Sequence, residues 1–337
     1  WANPDLFHMD KNAGAPPDMF AVKGQNWELP TYNWDRIKQT NFDWWKKRFA
    51  QMSNYFDTFR IDHILGFFRI WQIPLYHIEG IMGHLYPSSP VHINEFNEKG
   101  VWFDYNRFCN PYITDAILWD FFGEEAAWVK SNCLQIVDGW VLRLKAPYQS
   151  QQKVEKLFAE NKISERVKWG LFDLISNVLF FEVEGSDGRL FYPRFGMESL
   201  RTFRDLDDFT KNKLREIYVD YFYRRQDDRW YQSGMEKLPA LKRATNMLIC
   251  GEDLGMMTHC VTRAMKELGI LSLEVQRAPK SDKIEFFHPA DAPYLSVVTP
   301  STHDMSTIRG WWEEDRGVTQ RFYNSQLGHW GEAPYFC

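Results

Sequence analysis

Hydrophobic and polar positions follow three successive patterns along this chain, and the first is irregular. Residues 1–34 carry glycines and prolines that interrupt regular structure, which predicts a loop-like segment. Over residues 34–55 the large apolar side chains recur near helical spacing, which predicts an amphipathic helix. A short apolar run at residues 56–64 then predicts a strand.

Residues 75–245 form the second pattern and differ in composition from both flanks. Two apolar runs within residues 178–194 flank Ser186-Asp187-Gly188, which predicts a β-hairpin. Residues 213–230 mix charged residues with Tyr and Phe and are predicted to be helical. We interpret residues 75–245 as a separate subdomain.

The third pattern, over residues 246–337, is a strand–helix rhythm. Strands are predicted at residues 247–250, 271–276 and 295–299, with a helix at residues 260–268. Short apolar strands that alternate with helices favour a parallel sheet, so the predicted fold class is α/β. Residues 1–74 and 246–337 are expected to be two segments of this one structure.

Composition narrows the possible partners. The chain has 337 residues and a net charge of −5, so a nucleic acid partner is not expected. Aromatic residues reach 17%, including 15 Trp. Most of them should fill a large core, although flat aromatic faces also stack on sugar rings.

The cysteines suggest a reducing, cytoplasmic location. Cys109, Cys133, Cys250, Cys260 and Cys337 are scattered, odd in number and without metal-ligand spacing. No metal or cofactor is expected. No apolar run of about 20 residues is present, so no membrane span is expected. There is no signal peptide pattern, and the chain begins at Trp1 rather than Met, so its native N-terminus is expected to lie elsewhere.

The first of three candidate carboxylates stands at the end of the strand predicted over residues 56–64. Side chains alternate across a strand, so Arg60 and Asp62 should face the same side. A neighbouring arginine favours the ionised form of a carboxyl group, which a carboxylate nucleophile requires. The alternative is a structural ion pair.

Two later strands end in similar chemistry. Glu252 leaves an apolar strand, and a glutamate in that position can hold a proton for a leaving group. The alternative is first-turn charge beside an N-cap at Asp253. His303 and Asp304 follow the strand predicted over residues 295–299, where the alternative is a turn with an aspartate cap.

Taken together, the three strand ends favour catalysis over three separate structural explanations. In parallel α/β barrels the catalytic groups come from the carboxyl ends of several strands. One ionised and one protonated carboxyl group are the apparatus of glycoside chemistry.

At this point the chain resembles a known family, the 4-α-glucanotransferases (amylomaltases or disproportionating enzymes) of glycoside hydrolase family 77. The long stretch between Asp62 and Glu252 resembles the plant cytosolic disproportionating enzymes and their bacterial relatives, as do residues 60–74 and 191–195. By this resemblance residues 75–245 are an insertion subdomain, which either is purely structural or binds an acceptor or joins subunits. The order and spacing of five segments carry the family resemblance: Gly14-Ala15-Pro16-Pro17-Asp18, Gly24-Gln25-Asn26-Trp27, Arg60-Ile61-Asp62-His63, Gly251-Glu252-Asp253-Leu254-Gly255 and Thr302-His303-Asp304.

The resemblance implies a role for each residue. Asp62 would be the nucleophile, Glu252 the acid/base and Asp304 the stabiliser of the transition state, in a retaining transfer between α-1,4-glucans. Maltose or malto-oligosaccharides would donate, and a glucan such as glycogen would accept. The implied substrate-binding residues are Arg60, His63, His303, Gln25, Trp27 and Asp253.

The family also implies a (β/α)8 TIM barrel, of which this chain would supply about strands four to seven. We therefore expect a fragment of a longer enzyme, with a homodimer as one possible assembly. One departure stands at Glu28, where many members have glycine, and it leaves the shape of that loop open. Two alternatives are a hydrolase of the α-amylase group and a non-catalytic carbohydrate-binding protein.

Overall fold

A computed structural model describes residues 2–18 and 21–335 of the chain. Short 3-10 turns occur at Pro4–Leu6, Gly80–Met82, Gly123–Glu125, Ala146–Tyr148, Met197–Ser199 and Pro289–Asp291. The strands of the described residues are β1 (Phe7–Ala15), β2 (Gln25–Tyr32), β3 (Thr58–Ile61), β4 (Ile70–Pro74), β5 (His84–Tyr86), β6 (Val91–His92), β7 (Leu134–Val137), β8 (Val141–Leu144), β9 (Phe180–Glu182), β10 (Leu190–Pro193), β11 (Leu248–Gly251), β12 (Ser272–Val275) and β13 (Ser296–Thr299).

Helices occur between most of these strands. They are α1 (Trp34–Gln39), α2 (Asp43–Met52), α3 (Leu65–Phe68), α4 (Ile93–Glu98), α5 (Tyr105–Cys109), α6 (Asp115–Phe122), α7 (Ala126–Asn132), α8 (Gln151–Ala159), α9 (Glu165–Ser176), α10 (Arg201–Arg204), α11 (Asp208–Tyr223), α12 (Asp227–Lys242), α13 (His259–Leu268), α14 (Ile308–Glu314) and α15 (Arg316–Ser325). Across the described residues, no helix combines the length and apolar character needed to cross a membrane.

The described residues divide into two compact units. Unit 1 comprises residues 2–41 and 69–230, and unit 2 comprises residues 42–68 and 231–335. The chain therefore leaves unit 1, returns to it and leaves it again, with the last crossing inside α12. The domain boundaries predicted from the sequence, at residues 74/75 and 245/246, remain predictions.

The core sheet of unit 1 is antiparallel, with strand order β2-β1-β4-β5. The prediction that residues 1–34 are loop-like is therefore wrong. Pro30 lies in β2, opposite Asn12 and next to a register shift in the β1–β2 pairing. Because β2 is an edge strand, a proline there interrupts no further pairing. Gly14 and Pro30, two of the residues that suggested a loop, thus lie next to irregular points in the β1–β2 register.

The predicted helix at residues 34–55 is in fact two helices, α1 in unit 1 and α2 in unit 2. Asn41 and Phe42 separate them, with φ angles of 51° and 59°. Two consecutive residues in the left-handed region end a right-handed helix, because its hydrogen-bond ladder cannot continue through them. Apolar spacing alone did not reveal this break.

The predicted hairpin at residues 178–194 is confirmed as β9 and β10, which pair antiparallel. Asp187 and Gly188 have positive φ angles in the turn between them. The helix predicted at residues 213–230 is again two helices, α11 and α12. Gln226 lies between the two helices and is buried. Its side-chain amide accepts a hydrogen bond from the Ser89 amide and donates one to the Ser89 carbonyl.

The strands of unit 2 are parallel, as predicted. β3 pairs with β11, and β12 pairs with β13. A parallel bridge from Cys250 to Leu271 joins the two pairs, which gives the order β3-β11-β12-β13. The sheets and helices together confirm an α/β fold, while the described strands form no closed barrel.

Candidate active site

The site begins where β3 and β11 end side by side. Gly251 is opposite Ile61 in the parallel register, so the next residues, Glu252 and Asp62, leave the sheet at the same edge. The backbone of Glu252 donates to the Ile61 carbonyl at 2.8 Å and accepts from the Ile64 amide at 3.1 Å. These two bonds hold the turn containing Asp62 and His63 against the end of β11.

Glu252 is held in a nearly closed environment. It is 8% exposed, and its carboxylate accepts from the His63 amide at 2.9 Å and from the Leu254 amide at 2.8 Å. Burial raises the pKa of Glu252, and the negative charge of the nearby Asp62 raises it further. The hydrogen bonds from the two backbone amides and the positive charge of Arg60 lower it. The net shift is upward, which favours a carboxyl group that can hold a proton.

Asp62 has the opposite environment. Its side chain is 65% exposed and forms an ion pair with the Arg60 guanidinium, which is 27% exposed. The prediction that Arg60 and Asp62 face the same side of the strand is therefore confirmed. The pairing of β3 with β11 thus brings together Asp62, which lies beside a cation, and Glu252, which is buried.

Asp253 lies at the other side of the β11 end and is 5% exposed. Its carboxylate accepts from the Leu273 amide at 2.9 Å and from Lys280 at 2.8 Å. Lys280 also contacts Glu274, another buried carboxylate, at 2.8 Å. In this structure Asp253 fastens the end of β11 to β12. Sequence reasoning missed Lys280, because it lies in a loop with no recognisable pattern.

Asp304 and His303 lie beyond the end of β13. Their side chains are 69% and 64% exposed, and His303 Nε2 lies 3.2 Å from Asp304 Oδ1. β12 lies between β13 and β11, so Asp304 leaves the sheet at the same carboxyl edge, two strands away from Glu252. The described residues also contain no cluster of three metal-ligating side chains.

The two remaining candidate residues, Gln25 and Trp27, belong to unit 1. Trp27 Nε1 donates to Gln25 Oε1 at 2.9 Å, so the two side chains form a pair on β2. Glycines pack against the start of this strand. A Cβ atom placed on Gly14 would lie 2.1 Å from the Gln25 carbonyl oxygen, and one on Gly80 would lie 2.5 Å from the Gln25 amide nitrogen.

This packing predicts that Gly14→Ala destabilises unit 1. The added methyl group would overlap backbone rather than a flexible side chain, so β2 would have to move, at a cost of about 1–3 kcal/mol. Denaturant unfolding measures the change in the free energy of unfolding. Gly310→Ala is the control, because its nearest neighbour lies at 3.3 Å, on a side chain. Equal stability of the two variants would contradict the prediction.

Glu28 has a backbone conformation that explains why glycine is suited to its position. Its φ angle is 56°, in the left-handed region, and its amide donates to Asn26 Oδ1 at 3.1 Å. We expect Glu28→Gly to raise the free energy of unfolding by about 0.5–1 kcal/mol, because relief of strain exceeds the entropic cost of glycine. Glu98→Gly, at an exposed helical position, should lower it instead. A loss of stability in both variants would argue against strain at Glu28.

The sequence profile of the 4-alpha-glucanotransferases, glycoside hydrolase family 77, matches residues 1–335. The 4-alpha-glucanotransferase DPE2 of Oryza sativa subsp. japonica is 40% identical over 346 residues, which cover 100% of this chain and 36% of the rice protein. The chain belongs to the 4-alpha-glucanotransferase family. The resemblance inferred from the sequence segments is thereby confirmed.

Other relatives of the family match shorter stretches. The 4-alpha-glucanotransferase of Synechocystis is 41% identical over 95 residues, covering 26% of this chain and 19% of that protein. The amylomaltase of Streptococcus agalactiae, solved in complex with acarbose, covers 99% of this chain and 40% of its own, with 16% identity and a TM-score of 0.44. The chain thus spans little more than a third of the length of the rice relative.

Proposed function

We propose that this protein is a 4-α-glucanotransferase that moves α-1,4-linked glucosyl units between glucan chains with retention of configuration. The observation that carries the proposal is the pairing of Asp62 and Glu252 at the ends of neighbouring parallel strands. Such strands lie about 4.8 Å apart. Retaining enzymes keep their two carboxyl groups about 5–5.5 Å apart, whereas inverting enzymes need more space for a water.

In the first step Glu252, protonated, donates its proton to the glycosidic oxygen. The Asp62 carboxylate attacks the anomeric carbon, and the bond from that carbon to the leaving glucan breaks. The product is a glucosyl ester of Asp62. The raised pKa of Glu252, caused mainly by burial, supports its role as the acid. The exposed, arginine-paired Asp62 suits the nucleophile.

In the second step Glu252, now a carboxylate, takes the proton from the 4-hydroxyl group of an acceptor glucan. The acceptor oxygen attacks the anomeric carbon, and the ester bond to Asp62 breaks. Two displacements at one carbon restore the original configuration. His63 supports this chemistry through its backbone amide, which bonds the Glu252 carboxylate.

The remaining site residues are proposed from the family's pattern. Asp304 would stabilise the transition state, with His303 and Arg60 binding the same sugar, and Gln25 and Trp27 would contact the donor from β2. Asp253 would contribute to binding as well as fastening β11 to β12. These roles require β3, β11, β12 and β13 to belong to a (β/α)8 barrel, whose catalytic groups stand at the carboxyl ends of the strands.

Donor, acceptor, location and assembly are also proposals. We infer maltose or malto-oligosaccharides as donors and a glucan such as glycogen as acceptor. A cytoplasmic location is supported by the free thiols of Cys109, Cys133, Cys250 and Cys260, while Cys337 lies outside the described residues. A homodimer stays a prediction that sedimentation analysis would test.

Product analysis from maltotriose tests the proposed activity. A transferase that moves one glucosyl unit should produce maltose together with maltotetraose, because the glucosyl unit joins a second maltotriose. A hydrolase would produce only glucose and maltose. With maltose as donor, added glycogen should increase the release of glucose if a branched glucan is the acceptor. Absence of any product longer than the substrate would contradict transfer.

A further inference from the structure

Unit 1 contains a cavity of about 720 Å³ that the proposed chemistry does not use. Its wall is formed by β1, β4 and β5 of the core sheet and by the β9–β10 hairpin, and none of its lining residues belongs to unit 2. Binding sites for small molecules typically measure about 300–1,000 Å³. The cavity is therefore large enough for a ligand rather than a single water.

Aromatic rings and neutral polar groups line much of this cavity. The His84 and Tyr192 rings are parallel, with centroids 4.3 Å apart and 5° between their planes. Tyr76 lies at the wall with 58% of its surface exposed. Next to it, His77 Nδ1 is buried and has no hydrogen-bond partner among the described residues. A buried polar atom without a partner is unusual in a folded protein, so a ligand hydroxyl that reached it would supply the missing hydrogen bond.

The charged groups of the cavity already have partners. Lys11 lies 3.8 Å from both Asp10 and Glu184. Glu182 accepts from the Tyr105 hydroxyl at 2.5 Å and from the Gly188 amide at 2.6 Å. Three carboxylates against one ammonium group disfavour an anionic ligand. Since each carboxylate has a partner, a cation gains little, and aromatic faces and neutral polar groups remain for recognition.

We propose that this cavity is a non-catalytic binding site for a neutral oligosaccharide, which places a segment of glucan chain on unit 1. A sugar ring presents an apolar face that stacks on Tyr76, and hydroxyl groups that bond His77. Burial lowers the pKa of His77 to about 4 and that of His84 to about 3, so both imidazoles are uncharged near neutral pH. An uncharged imidazole both donates to and accepts from hydroxyl groups.

Hydrogen–deuterium exchange of the full chain with maltoheptaose tests the site. The choice of an α-1,4-glucan as probe rests on the proposed function, so the experiment uses Asp62→Asn as background, in which the ligand is not consumed. Maltoheptaose should protect peptides covering residues 70–86 and 181–192. Because the readout is binding, failure of transfer activity and failure of this site are seen in separate experiments.

Tyr76→Ala should reduce this protection and raise the dissociation constant of maltoheptaose roughly tenfold, through loss of aromatic stacking. His77→Phe keeps a ring but removes both nitrogens, and we expect binding about three- to tenfold weaker. Tyr223→Ala is the matched control, since Tyr223 is 61% exposed on α11 of the same unit. Protection that is absent in the Asp62→Asn background, or unchanged in both cavity variants, would overturn the proposal.

Discussion

Asp62→Asn should abolish glucan transfer, with a loss of roughly 10⁴-fold or more, as expected for removal of a covalent nucleophile. The amide that replaces the carboxylate has the same size but cannot form the glucosyl ester. Rates of maltotetraose formation from maltotriose measure the effect. The side chain is 65% exposed, so the free energy of unfolding should change little.

Asp57→Asn provides the matched control for this variant. Asp57 is exposed and lies just before the amino end of the same strand, β3, whereas Asp62 follows its carboxyl end. If the site lies at the carboxyl edge, Asp57→Asn should retain activity. A second readout is the titration of Glu252. The Asp62 charge raises the pKa of Glu252, so its removal should lower that pKa. Full activity in Asp62→Asn would exclude the nucleophile assignment.

Glu252→Gln should reduce transfer by about 10²–10⁴-fold, the range that general acid–base catalysis contributes. With α-glucosyl fluoride as donor, the formation of the glucosyl ester should recover, because fluoride leaves without a proton. The second step should remain slow, since no base takes the proton of the acceptor hydroxyl. An ester of Asp62 would then accumulate and be detectable by mass spectrometry.

The pH dependence gives an independent test of Glu252. The acid form donates the proton in the first step, so activity should fall as pH rises through the pKa of Glu252. Burial raises that pKa above the ordinary value of 4.5, so the decline should occur above it. Glu252→Gln should lose this alkaline decline, whereas Glu267→Gln, an exposed position on α13, should keep it. An unchanged profile in Glu252→Gln would assign the decline to another group.

The elements that sequence patterns predicted well are local ones. The short strands of unit 2 and the hairpin at β9–β10 carry apolar runs bounded by turn residues, and both are confirmed. The patterns failed where long-range pairing overrode local signals. β1 and β2 contain Gly14 and Pro30, which favour loops locally, but a Cβ atom on Gly14 would overlap both the Gln25 carbonyl oxygen and, at 2.7 Å, the Ile73 side chain. Ile73 lies in β4, far from Gly14 along the chain, so this requirement for glycine cannot be read from the local sequence.

The helix breaks show a second limit. Periodicity predicted one helix over residues 34–55, but Asn41 and Phe42 take left-handed φ angles between α1 and α2. The two helices belong to different units, so their apolar faces pack in different hydrophobic cores. Neither residue is a glycine or proline, the types that usually announce a break in sequence.

The sequence by itself determined the family, the α/β class and the identity of the candidate acids. Asp62, Glu252 and Asp304 each lie in a short contiguous segment whose residue order is recognisable without a structure. Only the tertiary structure decided their environments. Parallel pairing of β3 with β11 buries Glu252 while leaving Asp62 exposed beside Arg60, and this difference in solvation raises the pKa of Glu252. Solvation depends on what packs around a side chain, which residue order alone does not specify.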